Sequence, residues 1–148
     1  MTETLYFYSQ NQPFAEFSNF SKHGVELDGS WWPTTEHYFQ AQKFDNPDYR
    51  EAIRKASDPK RAADMGRTRD YPLRADWEAV KIDVMRRAVT QKFRTHPELK
   101  ALLLGTGDRP IVENAPGDYF WGCGADGSGQ NWLGRILEEV RGSLRSEP

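Results

Sequence analysis

The spacing of hydrophobic residues changes near Pro33, and the part of the chain before it has the pattern of short strands. Leu5 to Tyr8 is a β-prone run, and Val25 to Trp32 is another, interrupted by Asp28-Gly29. An Asp-Gly pair between two such runs is typical of a tight hairpin turn. The N-terminal part is therefore predicted to form a small sheet with a hairpin.

From Pro33 onward the capping residues and the spacing predict helices. Proline in a first turn and Ser, Thr or Asp before it are start signals, whereas glycine is a common stop signal. The predicted helices begin at Pro33 to Thr35 and end before Asp45-Asn46-Pro47, span Asp48 to Ala56, and run from Ser57-Asp58-Pro59 to near Gly66. Residues 67–73 are predicted to form a loop.

The strongest helical pattern follows this loop. Asp76 is predicted to cap a helix that runs to about Phe93, with apolar residues at helical spacing. Thr95-His96-Pro97-Glu98 has the spacing of a capping box and opens a helix that Gly105 closes.

The C-terminal part is predicted to contain two extended pieces, a glycine-rich loop and a last helix. Ile111 to Glu113 and Tyr119 to Trp121 are the extended pieces, and the helix begins near Asn131 and stops near Gly142. Together these elements predict a helix-rich α+β fold with a small N-terminal sheet. We expect a single domain over residues 1–148, with its core at about 5–142.

Composition narrows the classes of function. The chain of 148 residues is 37% hydrophobic and 28% charged and has a net charge of −2, which indicates an ordinary globular protein that does not coat nucleic acid. Aromatic residues make up 13%, including five tryptophans, so some rings are expected to face a ligand.

The single cysteine, Cys123, excludes an internal disulfide and suits a reducing compartment. The N-terminus has no export pattern and the chain has no apolar run of membrane-spanning length. The histidines are isolated from one another and from Cys123, so metal-ligand spacing is absent. These observations predict a cytoplasmic protein without a metal or membrane association.

Glu36 and Lys43 form the first candidate site. Seven residues are almost two helical turns, so both side chains project from one face about 10 Å apart, and a ligand between them can touch both. The alternative is a solvated face with two unrelated charges. Tyr38, Phe39 and Phe44 surround the pair in sequence and favour burial, and a buried carboxylate needs a reason.

The glycine-rich segment 122–131 formally contains GxGxxG, but too little chain follows it for a dinucleotide-binding βαβ unit. What remains is a predicted phosphate site, in which glycine amides and a helix N-terminus near Asn131 face an anion, with a plain surface loop as the alternative. Cys123 has no identifiable histidine base and is a poor candidate nucleophile.

Arginines and tryptophans give further candidates. Arg67, Arg69 and Arg74 flank a loop beside Trp77, which suits phosphate binding and base stacking, and Asp118 with Trp121 makes a similar pair. The alternatives are solvated arginines, a turn aspartate and tryptophans that belong to the core.

These motifs, in this order, resemble the NADAR domain proteins of the YbiA type. The resemblance extends from about Phe7 to Arg141 and rests on an ordered series of segments: residues 36–44, 65–67, 73–78, 106–108, 121–124 and 131–134. It departs from the pattern of many relatives at Cys123-Gly124-Ala125-Asp126.

The resemblance implies a YbiA-like fold and hydrolysis of N-glycosidic bonds, with phosphorylated ribosylamino-pyrimidine intermediates of riboflavin synthesis as substrates. It assigns Lys43 as the Schiff-base lysine and Glu36 as the acid or base, with no cofactor. The implied substrate-binding residues are Asn19, Arg67, Trp77, Asp118, Trp121, Gly122 and Asn131.

Two alternatives stay open. One is a glycohydrolase that removes ADP-ribose from guanine in nucleic acid, where nucleic acid serves only as the modified substrate. The other is a non-catalytic module that binds ADP-ribose or NAD. The sequence does not indicate an oligomeric state.

Overall fold

A computed structural model describes residues 3–8 and 11–147. The backbone divides into two compact units, residues 1–18 with 93–148 and residues 19–92. The strands are β1 (Leu5–Phe7), β2 (Val25–Leu27), β3 (Ser30–Trp32) and β4 (Ile111–Glu113), and the helices are α1 (Thr35–Ala41), α2 (Pro47–Arg54), α3 (Pro59–Met65), α4 (Trp77–Thr95), α5 (Pro97–Leu104) and α6 (Trp132–Arg145). The single domain over residues 1–148 stays a prediction.

The hairpin of residues 19–92 forms as predicted. β2 and β3 pair antiparallel, with Val25 opposite Trp32. Asp28 and Gly29 both have positive φ, 57° and 81°, which is the backbone of a two-residue hairpin turn. The Trp32 indole N–H donates to the Leu27 carbonyl at 3.0 Å and fixes the end of the hairpin.

α1 is shorter than the sequence predicts. Thr34 caps it by accepting a hydrogen bond from the His37 amide, but the helix ends at Ala41 and not near Asp45. The amides of Lys43 and Phe44 bond to carbonyls three residues earlier, which tightens the last turn. Lys43 therefore lies just beyond α1.

α2 begins one residue earlier than predicted, because Asn46-Pro47 is a start signal and not only a stop signal. The Asn46 side chain accepts from the Tyr49 amide, and Pro47 occupies the first helical position. α3 begins in the same way, with Asp58 as cap and Pro59 next, and ends at the predicted Gly66.

α4 begins where predicted and ends two residues later, at Thr95. The amides of Ala79 and Val80 donate to the Asp76 carbonyl, so the helix starts at this aspartate. The predicted capping box at residues 95–98 was wrong, because Thr95 is the last residue of α4 and His96, which precedes α5, makes no side-chain capping bond.

In the unit of residues 1–18 and 93–148, β1 pairs with β4 in parallel, a pairing that local pattern alone does not predict. The apolar face of α6 is buried, as its spacing predicts. α6 continues through Gly142 to Arg145, so the predicted stop near Gly142 was wrong. Nothing lies within 4 Å of where a Cβ on Gly142 would be, and Gly142 lacks the positive φ with which a glycine commonly ends a helix.

Residues 119–121 are not a strand, which corrects a second expectation. The Asp118 carboxylate accepts hydrogen bonds from the amides of Phe120 and Trp121, at 2.9 and 2.8 Å. This turn geometry bends the backbone away from an extended path. Within residues 3–8 and 11–147, no helix combines the length and apolar character needed to cross a membrane.

Candidate active site

Glu36 lies in the first turn of α1, and its side chain is only 8% exposed. Its backbone amide donates to the Asn19 carbonyl at 3.2 Å. Its carboxylate oxygen Oε2 accepts a hydrogen bond from the Gln40 amide nitrogen Nε2 at 2.6 Å. The carboxylate is thus fixed by its own helix, and it is buried as the aromatic neighbours predict.

Asn19 is tied to the start of the same helix. Its Oδ1 accepts from the Thr35 hydroxyl at 2.9 Å, and its Nδ2 contacts the Met85 sulfur at 3.2 Å. The side chain is buried. These contacts give Asn19 a part in placing Glu36, whereas the assignment of Asn19 to substrate binding stays a prediction.

Lys43 follows α1 and is partly buried. Its Nζ lies 5.8 Å from the centre of the Phe39 ring. Burial lowers the pKa of this amine, Glu36 opposes that shift, and the positive charges of Arg67 and Lys81 add to it. The direction is the one that a lysine nucleophile needs, because only the neutral amine attacks carbon.

Lys43 opens onto a cleft of about 640 Å³ formed by residues 43–78. The cleft is lined by Lys43, Gly66, Arg67, Tyr71, Leu73 and Trp77, among others. Residue 73 is held there because Phe44 and Leu73 form a bridge and the Arg74 amide donates to the Lys43 carbonyl at 2.7 Å. The structure therefore brings three predicted site residues, Lys43, Arg67 and Trp77, to one cavity.

The arginines near this cleft differ in availability. The guanidinium of Arg74 makes two hydrogen bonds to the Asp76 carboxylate, at 2.6 and 3.0 Å, and this bond raises the pKa of Arg74. Arg67 pairs with Asp64 but keeps 67% of its side chain exposed. Arg67 is therefore better placed than Arg74 to bind a phosphate from the cleft.

Trp77 has both roles that its sequence left open. The side chain is 5% exposed, and its ring packs 5.2 Å from that of Phe39, so most of it belongs to the core. It still forms part of the cleft wall. Tyr71, which sequence reasoning missed, also lines the cleft and stacks on Tyr49 at 4.2 Å.

The other predicted substrate-binding residues lie in the unit of residues 1–18 and 93–148. The Asp118 carboxylate accepts from two backbone amides, as described above, and the Trp121 ring packs edge-on against Phe120 at 4.8 Å. Gly122 has no room for a side chain, because a Cβ would lie 2.9 Å from Ala115. Asp118 and Gly122 thus shape the 115–122 turn, and the assignment of all three residues to substrate binding stays a prediction.

Asn131 binds the edge of β4. Its Oδ1 accepts from the Glu113 amide and its Nδ2 donates to the Ile111 carbonyl, both at 2.9 Å. The first amides of α6, those of Trp132 and Leu133, donate to the carbonyls of Phe120 and Trp121. The helix start thus has fewer amides available for an anion than its sequence suggests.

Comparison with known proteins identifies the family. The NADAR domain model matches residues 6–145. The chain belongs to the NADAR domain family. It is 50% identical to the N-glycosidase YbiA of Escherichia coli over 141 residues, which are 95% of this chain and 88% of that protein.

A solved structure and one further relative extend the comparison. A solved NMR structure of Escherichia coli YbiA matches this NADAR chain with a TM-score of 0.90 at 49% identity, covering 98% of this chain and 87% of that one. The chloroplastic riboflavin biosynthesis protein PYRR of Zea mays is 44% identical over 97% of this chain, which spans 25% of that protein. The predicted family and the helix-rich α+β fold are confirmed.

Proposed function

We propose that this chain is an N-glycosidase that hydrolyses the bond between a ribose carbon and the nitrogen of a base-like group. One observation carries the proposal: a lysine with a lowered pKa, Lys43, opens onto a cleft just beyond a helix that holds the buried carboxylate of Glu36. The N-glycosidase name of the YbiA relatives supports the same conclusion.

Glu36 suits the charge that develops in this reaction. Breaking a ribose C–N bond builds positive, oxocarbenium-like charge on the sugar and leaves electrons on the departing nitrogen. A fixed carboxylate beside the sugar stabilises that cation or moves a proton. Because Glu36 is held by Gln40 and by its own backbone, it needs little reorganisation as charge develops.

Lys43 offers a covalent route for a ribosylamine whose ring has opened. The neutral Nζ adds to the imine carbon C1, and the bond from C1 to the base nitrogen breaks. Nζ loses two protons as the neutral C1=Nζ bond forms, and the departing nitrogen gains two protons as it leaves as an amine. Water then adds to the C1=Nζ Schiff base, and cleavage of the bond to Nζ releases the ribose aldehyde and the free lysine.

We propose a phosphorylated ribosylamino-pyrimidine as the substrate. The exposed guanidinium of Arg67 supplies a phosphate contact at the cleft, and the rings of Trp77 and Tyr71 supply an apolar wall for the base. The riboflavin biosynthesis name of the Zea mays relative supports this substrate class.

We also propose a cytoplasmic location, because the free thiol of Cys123 fits a reducing compartment.

The decisive experiment measures release of the free base by mass spectrometry. The purified chain is incubated with a ribosylamino-pyrimidine phosphate and, in parallel, with an oligonucleotide that carries ADP-ribosylated guanine. Release from the first substrate with a higher kcat/KM supports the proposal, whereas preferential release from the oligonucleotide selects the ADP-ribosyl alternative. Binding of either compound without release of a base would indicate a non-catalytic module.

Borohydride trapping tests the covalent route. Incubation with ADP-ribose and borohydride is expected to leave a reduced adduct on the peptide that contains Lys43. The Lys43→Ala variant should lose that adduct, while Lys60→Ala, which removes an exposed lysine on α3, should keep it. An adduct of equal yield on the Lys43→Ala protein would overturn the Schiff-base role.

A further inference from the structure

Gln40 makes the contact that orients the candidate catalytic carboxylate. Residues four apart on a helix lie on one face, and here the Gln40 Nε2 donates to the Glu36 Oε2 at 2.6 Å. Both side chains are buried, at 7% and 8% exposure. Burial by itself favours the neutral acid, whereas the Gln40 amide donor and the positive charge of Lys43 favour the ionised carboxylate.

Gly66 leaves room for this amide. Its φ of −68° and ψ of −15° are open to any residue, so the backbone does not require glycine there. A Cβ at this position would overlap the Oε1 and the side-chain carbonyl carbon of Gln40. Any side chain at residue 66 must therefore displace the amide that holds Glu36.

The Gln40 amide is also poorly satisfied elsewhere. Its Oε1 is buried without a hydrogen-bond partner among the described residues. The hydrogen bond that the structure shows for this side chain is the one from Nε2 to Glu36. A buried polar atom without a partner carries a cost, which persists only where another constraint outweighs it.

We propose that Gln40 is a positioning residue that orients the Glu36 carboxylate and favours its ionised form, and that Gly66 is glycine because the Gln40 amide occupies the space of its side chain. The inference rests on the proposed function. It assigns Glu36 the stabilisation of the ribose cation and the orientation of water, so the two protons that the leaving nitrogen gains come from the Lys43 Nζ, as in the covalent route above.

Two substitutions test the pair. Gln40→Met keeps the length of the side chain but removes the donor, and Gly66→Ala adds one methyl group without altering the backbone preference. Each is expected to lower kcat at least 10-fold with little change in KM, and to move the acid limb of the kcat/KM profile to higher pH. The double variant should be no worse than Gln40→Met alone, because both changes break one contact.

Gln42→Met is the matched control. Gln42 is also a buried glutamine, and its Nε2 has no hydrogen-bond partner among the described residues, but its Oε1 accepts from Arg50 and it makes no recorded contact with Glu36. Its loss should affect stability without moving the pH profile. Unchanged profiles in both test variants, or additive losses in the double variant, would overturn the proposal.

A measurement without substrate separates this inference from the proposed function. In ¹³C NMR, the titration midpoint of the Glu36 carboxyl carbon is expected to lie at higher pH in Gln40→Met and in Gly66→Ala than in the parent chain. If the midpoints move but the parent chain releases no base, the glycosidase function fails and the positioning role stands. If the midpoints do not move but the parent chain releases the base, the positioning role of Gln40 fails and the glycosidase function stands.

Discussion

At the scale of single residues, burial and the charges around Lys43 decide how much neutral amine is present. Burial, Arg67 and Lys81 lower the pKa of Lys43, and Glu36 raises it. The three groups that matter most, Lys43, Glu36 and Arg67, were all identifiable from the sequence. Their electrostatic coupling was not, because it depends on where Lys43 lies after α1 ends.

Removing the Arg67 charge is expected to shift the trapping of Lys43. In Arg67→Met the pKa of Lys43 rises, so the rate of borohydride trapping reaches half its maximum at a higher pH than in the parent chain. The measurement is the trapping rate against pH. Arg61→Met, on the exposed side of α3, is the control, and an equal shift in that variant would contradict the assigned coupling.

Replacing Glu36 by Gln is expected to separate turnover from trapping. Loss of the carboxylate lowers base release by about 100-fold or more, because the negative charge that stabilises the ribose cation is gone. It also lowers the pKa of Lys43, because the negative charge that raised it is gone. Base release and trapping rate are measured on the same preparation, and full turnover in Glu36→Gln would exclude a catalytic role.

At the scale of elements, two glycines that look alike in sequence have opposite roles. Gly29 has a φ of 81° in the β2–β3 turn, whereas Gly142 is helical and exposed, with free space around it. Gly29→Ala is expected to reduce the free energy of unfolding by about 1 kcal/mol, because a side chain is strained at positive φ. Gly142→Ala is expected to raise it by about 0.5–1 kcal/mol. Urea unfolding measures both, and equal signs would contradict the two assignments.

The elements were predictable where a local signal sets them, and not where a distant contact does. The Asp28-Gly29 turn and the Asp58-Pro59 helix start depend on neighbours in sequence and were predicted. The pairing of β1 with β4 depends on segments far apart in the chain. Residues 119–121 have strand-like side chains, but the carboxylate of Asp118 bends their backbone.

The candidate site shows the same division. Glu36 and Lys43 are an acid and an amine at helical spacing, so the sequence alone identifies them as candidate catalytic residues. Gln40 and Gly66 act through a contact between α1 and the end of α3, and a glutamine or glycine alone has no such signal. The sequence does place Gln40 one helical turn after Glu36, a spacing that predicts contact between the two side chains.

At the scale of the whole molecule, two titratable side chains of α1 set expected limits of stability. Burial lowers the pKa of His37 below its ordinary 6.5 and, with the Asp28 hydrogen bond, raises the pKa of Tyr38 to about 12. The unfolded chain therefore binds a proton at His37 first as the pH falls below about 6.5. It loses one at Tyr38 first as the pH rises above about 10.

Stability is thus expected to fall on both sides of this range. Urea unfolding across pH 5 to 11 measures it. His37→Gln should flatten the pH dependence of stability on the acidic side, and Tyr38→Phe should flatten it on the basic side. Both variants are expected to be less stable at pH 8. His37→Gln loses the hydrogen bonds to Thr34 and Ala56, and Tyr38→Phe loses the one to Asp28. A pH dependence unchanged in both variants would mean that other groups set these limits.

The parallel pairing of β1 with β4 also bears on how the chain folds as it leaves the ribosome. Residues 19–92 form a unit from one continuous segment, which can be complete while synthesis goes on. β1 emerges before that segment, yet its partner Ile111–Glu113 emerges long after it. β1 therefore waits until residues 8–113 have been made, and chaperone contacts during translation should concentrate on it.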